Sequence, residues 1–277
     1  MTDYMKWLIR RFSLYLVNII LAIIVIFPII YALSISLMPA SEAFQYPPKL
    51  IPHSLYLGNY IEVLNSVPIL RFILNSFIVS AIVTIGQILT SSLAAYAFAF
   101  YEFKGKNIIF AIFLSTMMIP GEAIIIANYL TIRQLNWLNT YAGLIIPYLS
   151  SALGIFLLRQ FYLTIPKDYY EAAQLDGCKR FEFLIKVVMP LSRPAIGSLA
   201  VYSFLMTWNQ YMWPLLITNT DNMRTVQIGI SMLQWSDSQS FGLIMAGVIM
   251  ILLPSIITFI FGQKQLIEGL NAGALKG

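Results

Sequence analysis

Charged residues are scarce in this chain: only 10% of its 277 residues are Asp, Glu, Lys or Arg, and 59% are hydrophobic. A soluble domain carries about 25% charged and about 45–50% apolar residues, so this excess of apolar side chains cannot all enter one core and must face lipid. One cysteine, Cys178, excludes an internal disulfide. One histidine, His53, excludes a His-rich metal site. Gly105-Lys106 lacks the upstream glycine and the following Ser or Thr of a phosphate-binding loop, so the chain has no means of its own to bind and hydrolyse ATP. Paired carboxylates and a nucleophile beside a base are also missing, so no catalytic residue is expected. The formal net charge of +5 does not point to nucleic acid, because the Lys and Arg residues lie between apolar runs.

Those runs predict an all-α integral membrane protein with six transmembrane helices. Lys6, Arg10 and Arg11 precede an apolar run from about Phe12 to Leu37, longer than a signal peptide core and long enough for the ~20 residues a bilayer needs. It reads as an uncleaved first helix, bent at Pro28. A polar segment, Pro39 to Arg71, is expected to be loop with one short helix near Asn59–Asn65. Further spans are expected at about Phe72–Phe100, Asn107–Ala127 (interrupted at Pro120-Gly121), Tyr141–Leu163, Ala195–Ile217 and Phe241–Phe261. Small residues along the second span, from Ser80 to Ala95, let helices pack closely where lipid removes the hydrophobic drive between them. The division follows: a first helix and extracytoplasmic loop at 1–70, a transmembrane domain at 71–262 and a C-terminal tail at 263–277.

Six spans put both termini on one side of the membrane, and the basic residues choose the side. Lys6, Arg10, Arg11, Lys104, Lys106, Arg159, Lys167, Lys179, Arg180, Lys186, Arg193, Lys264 and Lys276 fall on the side of the termini, against Lys49, Arg71, Arg133 and Arg224 on the other. Both termini are therefore expected in the cytoplasm, the chain being a multi-pass membrane protein.

A second long polar interruption, Pro166 to Pro194, lies on that cytoplasmic side and reads as two short helices with a turn between them. Asp168 is expected to cap the first, with Glu171 three residues on as in a capping box. Ala172 and Ala173 leave room for a partner surface, Gly177 after Asp176 suits a left-handed helix end, and Pro190 and Pro194 close the second helix.

Glu171, Ala172, Ala173, then Gly177, then Val187, Met189 and Pro190 keep the spacing of the EAA loop of the membrane subunits of ATP-binding-cassette importers. The chain is similar to that family over most of its length. Thr207–Asn219, reading TWNQYMWPLLITN, resembles a segment of the carbohydrate-uptake branch. The closing GLNAGALKG, from Gly269, resembles the tail of the second membrane subunit of maltose-type transporters, with Asn271 and Leu275 departing from the usual Thr and Val. The resemblance implies the type I importer membrane-domain fold, with a cytoplasmic coupling helix in the EAA loop. It implies a homologous membrane subunit as heterodimer partner, two copies of a cytoplasmic ATPase and an extracytoplasmic substrate-binding protein. No cofactor would bind this chain, since ATP and Mg would sit on the ATPase. Glu171, Ala172, Ala173, Asp176, Gly177 and Pro190 would couple to the ATPase, and Gly269, Asn271 and Gly273 of the tail would touch it. The solute would be a sugar or oligosaccharide, with glycerol 3-phosphate as the alternative.

Trp208, Asn209, Gln210 and Tyr211 are candidates for lining the pathway, because aromatic faces and amides hold sugars; the same residues serve equally to bond neighbouring helices. Glu122, just after the Pro120-Gly121 break, has either a structural or gating role or a contact with solute. Asn75 and Gln87 are expected to be helix-to-helix contacts. A rival of another class, an ion-coupled secondary transporter, would need ionisable residues at mid-bilayer. Apart from Glu122 the spans have almost none, and no inverted repeat is seen.

Overall fold

The computed structural model describes residues 3–236 and 241–274, and every regular element among them is helical. In chain order the helices are α1 (Asp3–Ser36), α2 (Ala40–Ala43), α3 (Gly58–Ser66), α4 (Ile69–Phe100), α5 (Lys106–Thr116), α6 (Gly121–Gln134), α7 (Tyr141–Ile145) and α8 (Ala152–Tyr162). They continue as α9 (Lys167–Leu175), α10 (Arg180–Phe183), α11 (Met189–Leu191), α12 (Arg193–Trp208), α13 (Met212–Ile217), α14 (Val226–Ser236) and α15 (Phe241–Ala274). Three helical stretches are long and apolar enough to cross a bilayer unaided: Arg10–Ser36, Ile69–Phe100 and Phe241–Ile267. Three bent pairs bring the total to as many as six: α5 with α6 at 94°, α7 with α8 at 44°, and Arg180–Leu191 with α12 at 80°.

The break expected in the third span at Pro120-Gly121 is present, while the fourth and fifth depart from the unbroken spans drawn from hydropathy. The third is turned almost at right angles, because Pro120 takes an extended conformation at the start of α6. The fourth, expected to be continuous from Tyr141, breaks into a short 3₁₀ turn at Ile146–Tyr148, where Pro147 has no N–H to give a helix. Thr140 and Ser151 then restart the chain as side-chain caps of α7 and α8, accepting from Gly143 N–H at 3.2 Å and Gly154 N–H at 3.1 Å. The fifth was expected to run to Ile217 as one helix, but α12 stops at Trp208 and α13 starts only at Met212. In an unbroken helix the Pro214 ring would meet the Gln210 carbonyl, so the break precedes it. By contrast α1 passes through Pro28 and α15 through Pro254 without a break. The tail expected from residue 263 is part of α15, which stays helical to Ala274.

Two compact units make up the chain, Met1–Ile69 with Ile230–Leu252 and Leu70–Gly229 with Leu253–Gly277. In the smaller unit Asn59 donates to the carbonyls of Ser36 and Met38, at 2.9 and 2.8 Å, which satisfies the open end of α1. The buried Glu42 accepts from His53 N–H at 3.0 Å and from Lys49 at 3.3 Å, fixing the loop after α2. The apolar side chains of α1 from Phe12 to Ile30 are exposed, as a lipid-facing helix requires.

In the larger unit α4 is the common wall. Its small residues let neighbours approach: a Cβ on Gly86 would meet Leu149 at 2.4 Å. Its polar side chains mend the broken fourth span. Gln87 donates to the Tyr148 carbonyl at 2.8 Å and Thr90 to the Leu149 carbonyl at 2.8 Å, the carbonyls freed by the Pro147 turn. Ser203 of α12 donates to Gln87 at 2.6 Å. Asn75 donates to the carbonyls of Asn222 and Arg224, both at 2.9 Å, and accepts from the Tyr141 hydroxyl at 2.7 Å. Asn75 and Gln87 are thus the inter-helix contacts expected of them.

Candidate functional site

The polar loop begins with α9, whose first residue follows Pro166. Pro166 has no side chain able to cap the helix, and Asp168 lies inside the first turn rather than at the cap. Asp168 therefore acts on the helix only as a negative charge near its N-terminus, not through the expected capping bond. The reciprocal bond falls later: Glu182 accepts from Lys179 N–H at 3.1 Å at the start of α10.

The other end of α9 agrees with the sequence. Gly177 has φ +74°, and its N–H bonds the Gln174 carbonyl at 3.0 Å while Cys178 N–H reaches the Ala173 carbonyl at 2.9 Å. This pair of bonds closes the helix through a left-handed residue. A Cβ on Gly177 would touch nothing within 4 Å, so the backbone angle, not lack of room, calls for glycine.

Around this frame the loop has two faces. Glu171, Ala172 and Asp176 point outward and are exposed, as is Leu175, whose apolar side chain is 90% exposed. Ala173 turns the other way and packs with Tyr170 and Cys178 on the core formed by Tyr96, Leu158, Tyr162, Phe183 and Val188. Rings dominate that contact. Phe183 lies 5.1 Å from Tyr170, 5.5 Å from Phe100 and 6.4 Å from Tyr96, centroid to centroid. The Tyr96 hydroxyl donates to the Arg180 carbonyl at 2.9 Å. The loop is therefore seated on the ends of α4 and α8 while its α9 face stays open.

Before Pro190 the chain makes a wide i→i+5 turn over Leu184–Val188, which sequence reading missed. Pro190 cannot donate to the carbonyl one α-turn back, and a widened turn in front of it is one way to seat the ring. Pro190 itself is exposed, with Ser192 buried at the 80° bend that follows. On the solvent side, the Lys186 ammonium donates to Glu182 at 2.8 Å. That bond, helped by Lys179 N–H, holds the Glu182 carboxyl below its usual range, and Glu182 in turn pushes Lys186 up.

The pathway candidates are brought together only in part. Trp208 is buried and stacks on Phe204 at 5.8 Å, so it supports the wall from behind rather than lining an open surface. Asn209 is exposed at the end of α12; its amide donates to the Leu205 carbonyl at 2.8 Å and accepts from Gln227 at 3.3 Å. Gln210 is half-buried, and Tyr211 beside it is partly exposed. Glu122 is exposed in the first turn of α6. The Tyr148 ring lies 6.1 Å from Trp213, whose indole donates to the Gly143 carbonyl at 3.1 Å. Sequence reading missed Tyr148; its signal was Pro147, which marks a turn where a span was expected. Of the tail candidates, Gly269, Asn271 and Gly273 continue α15 by backbone, while the Asn271 side chain and Lys276 lie outside the described residues.

Comparison with known proteins bears on both regions. Residues 87–264 match the family described as binding-protein-dependent transport system inner membrane component, a stretch that contains the loop and the pathway candidates. The arabinooligosaccharides transport system permease protein AraQ of Bacillus subtilis is 32% identical over 272 residues, covering 97% of each chain. The sn-glycerol-3-phosphate transport system permease protein UgpE of Brucella suis is 36% identical, over 92% of this chain and 94% of that one. Among solved structures, a bacterial ABC transporter involved in the import of the acidic polysaccharide alginate shares the fold, with a TM-score of 0.82 at 22% identity, over 95% of this chain and 98% of that one.

Proposed function

Since the chain belongs to the binding-protein-dependent transport system inner membrane component family, we propose that it forms half of the membrane pathway of an importer, beside a homologous membrane subunit. It is a permease, not an enzyme. Two copies of a cytoplasmic ATPase bind ATP and Mg, and an extracytoplasmic binding protein delivers the solute. The basic-residue asymmetry supports cytoplasmic termini and a cytoplasmic loop around α9. Cysteine labelling from outside intact cells, after Cys178→Ser, tests this: Arg133→Cys should react and Lys179→Cys should not.

The observation that carries the coupling role is an open α9 face on a packed base. Glu171, Ala172, Leu175 and Asp176 are exposed, and the opposite face is packed by rings onto α4 and α8. A push on α9 from a docked ATPase reaches the membrane helices through that ring contact. Glu171→Lys reverses the charge at the docking face, and Gly177→Val forces a β-branched residue to φ +74°. Both variants should insert in the membrane but lose ATPase co-purification or uptake, and Gly177→Asn should be milder because Asn tolerates the left-handed region. Unchanged co-purification and uptake in both would remove the loop from coupling.

The solute is a neutral sugar or oligosaccharide. The pathway candidates include a carboxylate, Glu122, and no cation, which disfavours a phosphorylated solute such as glycerol 3-phosphate. Because a buried hydrogen bond contributes only about 0.5–1.5 kcal/mol net, these few groups form a second filter behind the binding protein. Asn209→Ala with Gln210→Ala should lower uptake while the loaded binding protein still stimulates ATP hydrolysis. Preferred uptake of a phosphorylated solute would overturn the neutral assignment.

A further inference from the structure

The turn between α4 and α5 sits where the apolar Ile69–Phe100 helix ends, and it borders an open cavity of about 530 Å³. Lys106, Arg159, Asn107 and Glu102 supply its polar lining. Arg159 is held in place without an acid: its Nε donates to the Phe98 carbonyl at 3.4 Å and its guanidinium lies 4.2 Å from the Phe110 ring centre. Among the described residues no carboxylate pairs with it. Lys106, with only 14% of its side chain exposed, is aimed by the Tyr101 carbonyl at 2.8 Å and shares one Glu102 oxygen at 3.1 Å; Glu102 itself stands on the rim, 91% exposed. Beside the cavity, Ile108 and Ile112 expose an apolar stripe along α5, 68% and 60% open.

We propose that this cavity binds the headgroup phosphate of an anionic phospholipid, with Arg159 and Lys106 as its cationic contacts and the acyl chains lying along Ile108 and Ile112. A fixed guanidinium without an acid partner favours an incoming anion, and two cations outweigh the one carboxylate. A free phosphate would satisfy the cations equally but has no use for the apolar stripe one helical turn away, whereas a lipid fits both. The site stands at the end of a membrane-crossing helix, where basic pockets meet lipid headgroups. The inference does not depend on which solute is transported.

The test uses the assembled transporter in phosphatidylcholine nanodiscs containing a photoactivatable phosphatidylglycerol, with crosslinks mapped by mass spectrometry. Wild type should be labelled within residues 102–112 and beside Arg159, and photoactivatable phosphatidylcholine should label there far less. Arg159→Gln and Lys106→Gln should each lower labelling about fivefold, the effect of removing one surface cation. Wild-type labelling elsewhere only, or equal labelling by both lipids, would overturn the proposal without recourse to any variant.

Discussion

The loop around α9 and the break at Pro147 both interrupt apolar helices of the same unit, yet they are held in different ways. The loop rests on rings: Phe183, Tyr96, Phe100 and Tyr170 meet at 5.1 to 6.4 Å, with a single side-chain bond, from Tyr96 to Arg180, among them. Beside the break, hydrogen bonds do the holding: Gln87 and Thr90 donate to the carbonyls of Tyr148 and Leu149. Ring contact acts through area and has little directional demand, so it survives a small slide. A carbonyl freed inside a membrane needs a donor in one place. An element that must move with a partner suits the first kind of contact, and a fixed kink suits the second.

Breaking the ring contact should have the largest effect. Phe183→Ala removes a buried ring at the centre of the cluster and should cost about 3–5 kcal/mol, read as a lowered unfolding temperature of the purified protein. An unchanged transition would mean that rings do not hold the loop. Gln87→Leu comes next, at about 1–3 kcal/mol, because the Tyr148 carbonyl and Ser203 lose their partner together. Adding Ser203→Ala to that variant should cost little more, since the bond is already gone; full additivity would argue against a shared network.

Asn139 tests the directional kind of contact on its own. It has φ +56°, and its side-chain oxygen accepts from Asn219 and Thr220 N–H at 2.8 and 3.2 Å. Asn139→Ala loses both the bonds and the tolerance of that angle, while Asn139→Gly loses only the bonds. The Ala variant should therefore unfold at the lower temperature, and the reverse order would show that the angle contributes nothing.

The smallest effect is expected at Glu182 and Lys186, a solvent-facing ion pair. Glu182 is held low, so its contribution is present above the ordinary carboxylate range and is lost as pH falls. Lys186 is held high, so its contribution is present below the ordinary lysine range and is lost as pH rises. Between these ranges the profile should be flat. Glu182→Gln should change neutral-pH stability only slightly, and less still in high salt.

What the sequence made legible was whatever depends on local chemistry. Apolar run length located the membrane helices, the spacing from Glu171 to Pro190 located the loop, and Gly177 was read correctly as left-handed. Angles between helices were not legible. Pro120 and Pro147 announce a break, but how far the chain turns is decided by what it packs against, so 94° and 44° could not be told apart beforehand. Hydropathy averaging also ran α12 and α13 together, because Trp208, Tyr211 and Trp213 read as apolar on both sides of the break. The side of a helix that faces inward is likewise a tertiary matter. Hence the burial of Trp208 against Phe204 and the turn at Tyr148 were not foreseen.

Gly177 carries one more consequence. Open space surrounds it and its φ is +74°, so the obstacle to any side chain there is chirality alone. A mirror-image residue has its comfortable region at just that angle. D-alanine placed at 177 by semisynthesis would thus leave the turn intact while taking from the unfolded chain the freedom that glycine gives it. L-alanine, made of the same atoms, would not.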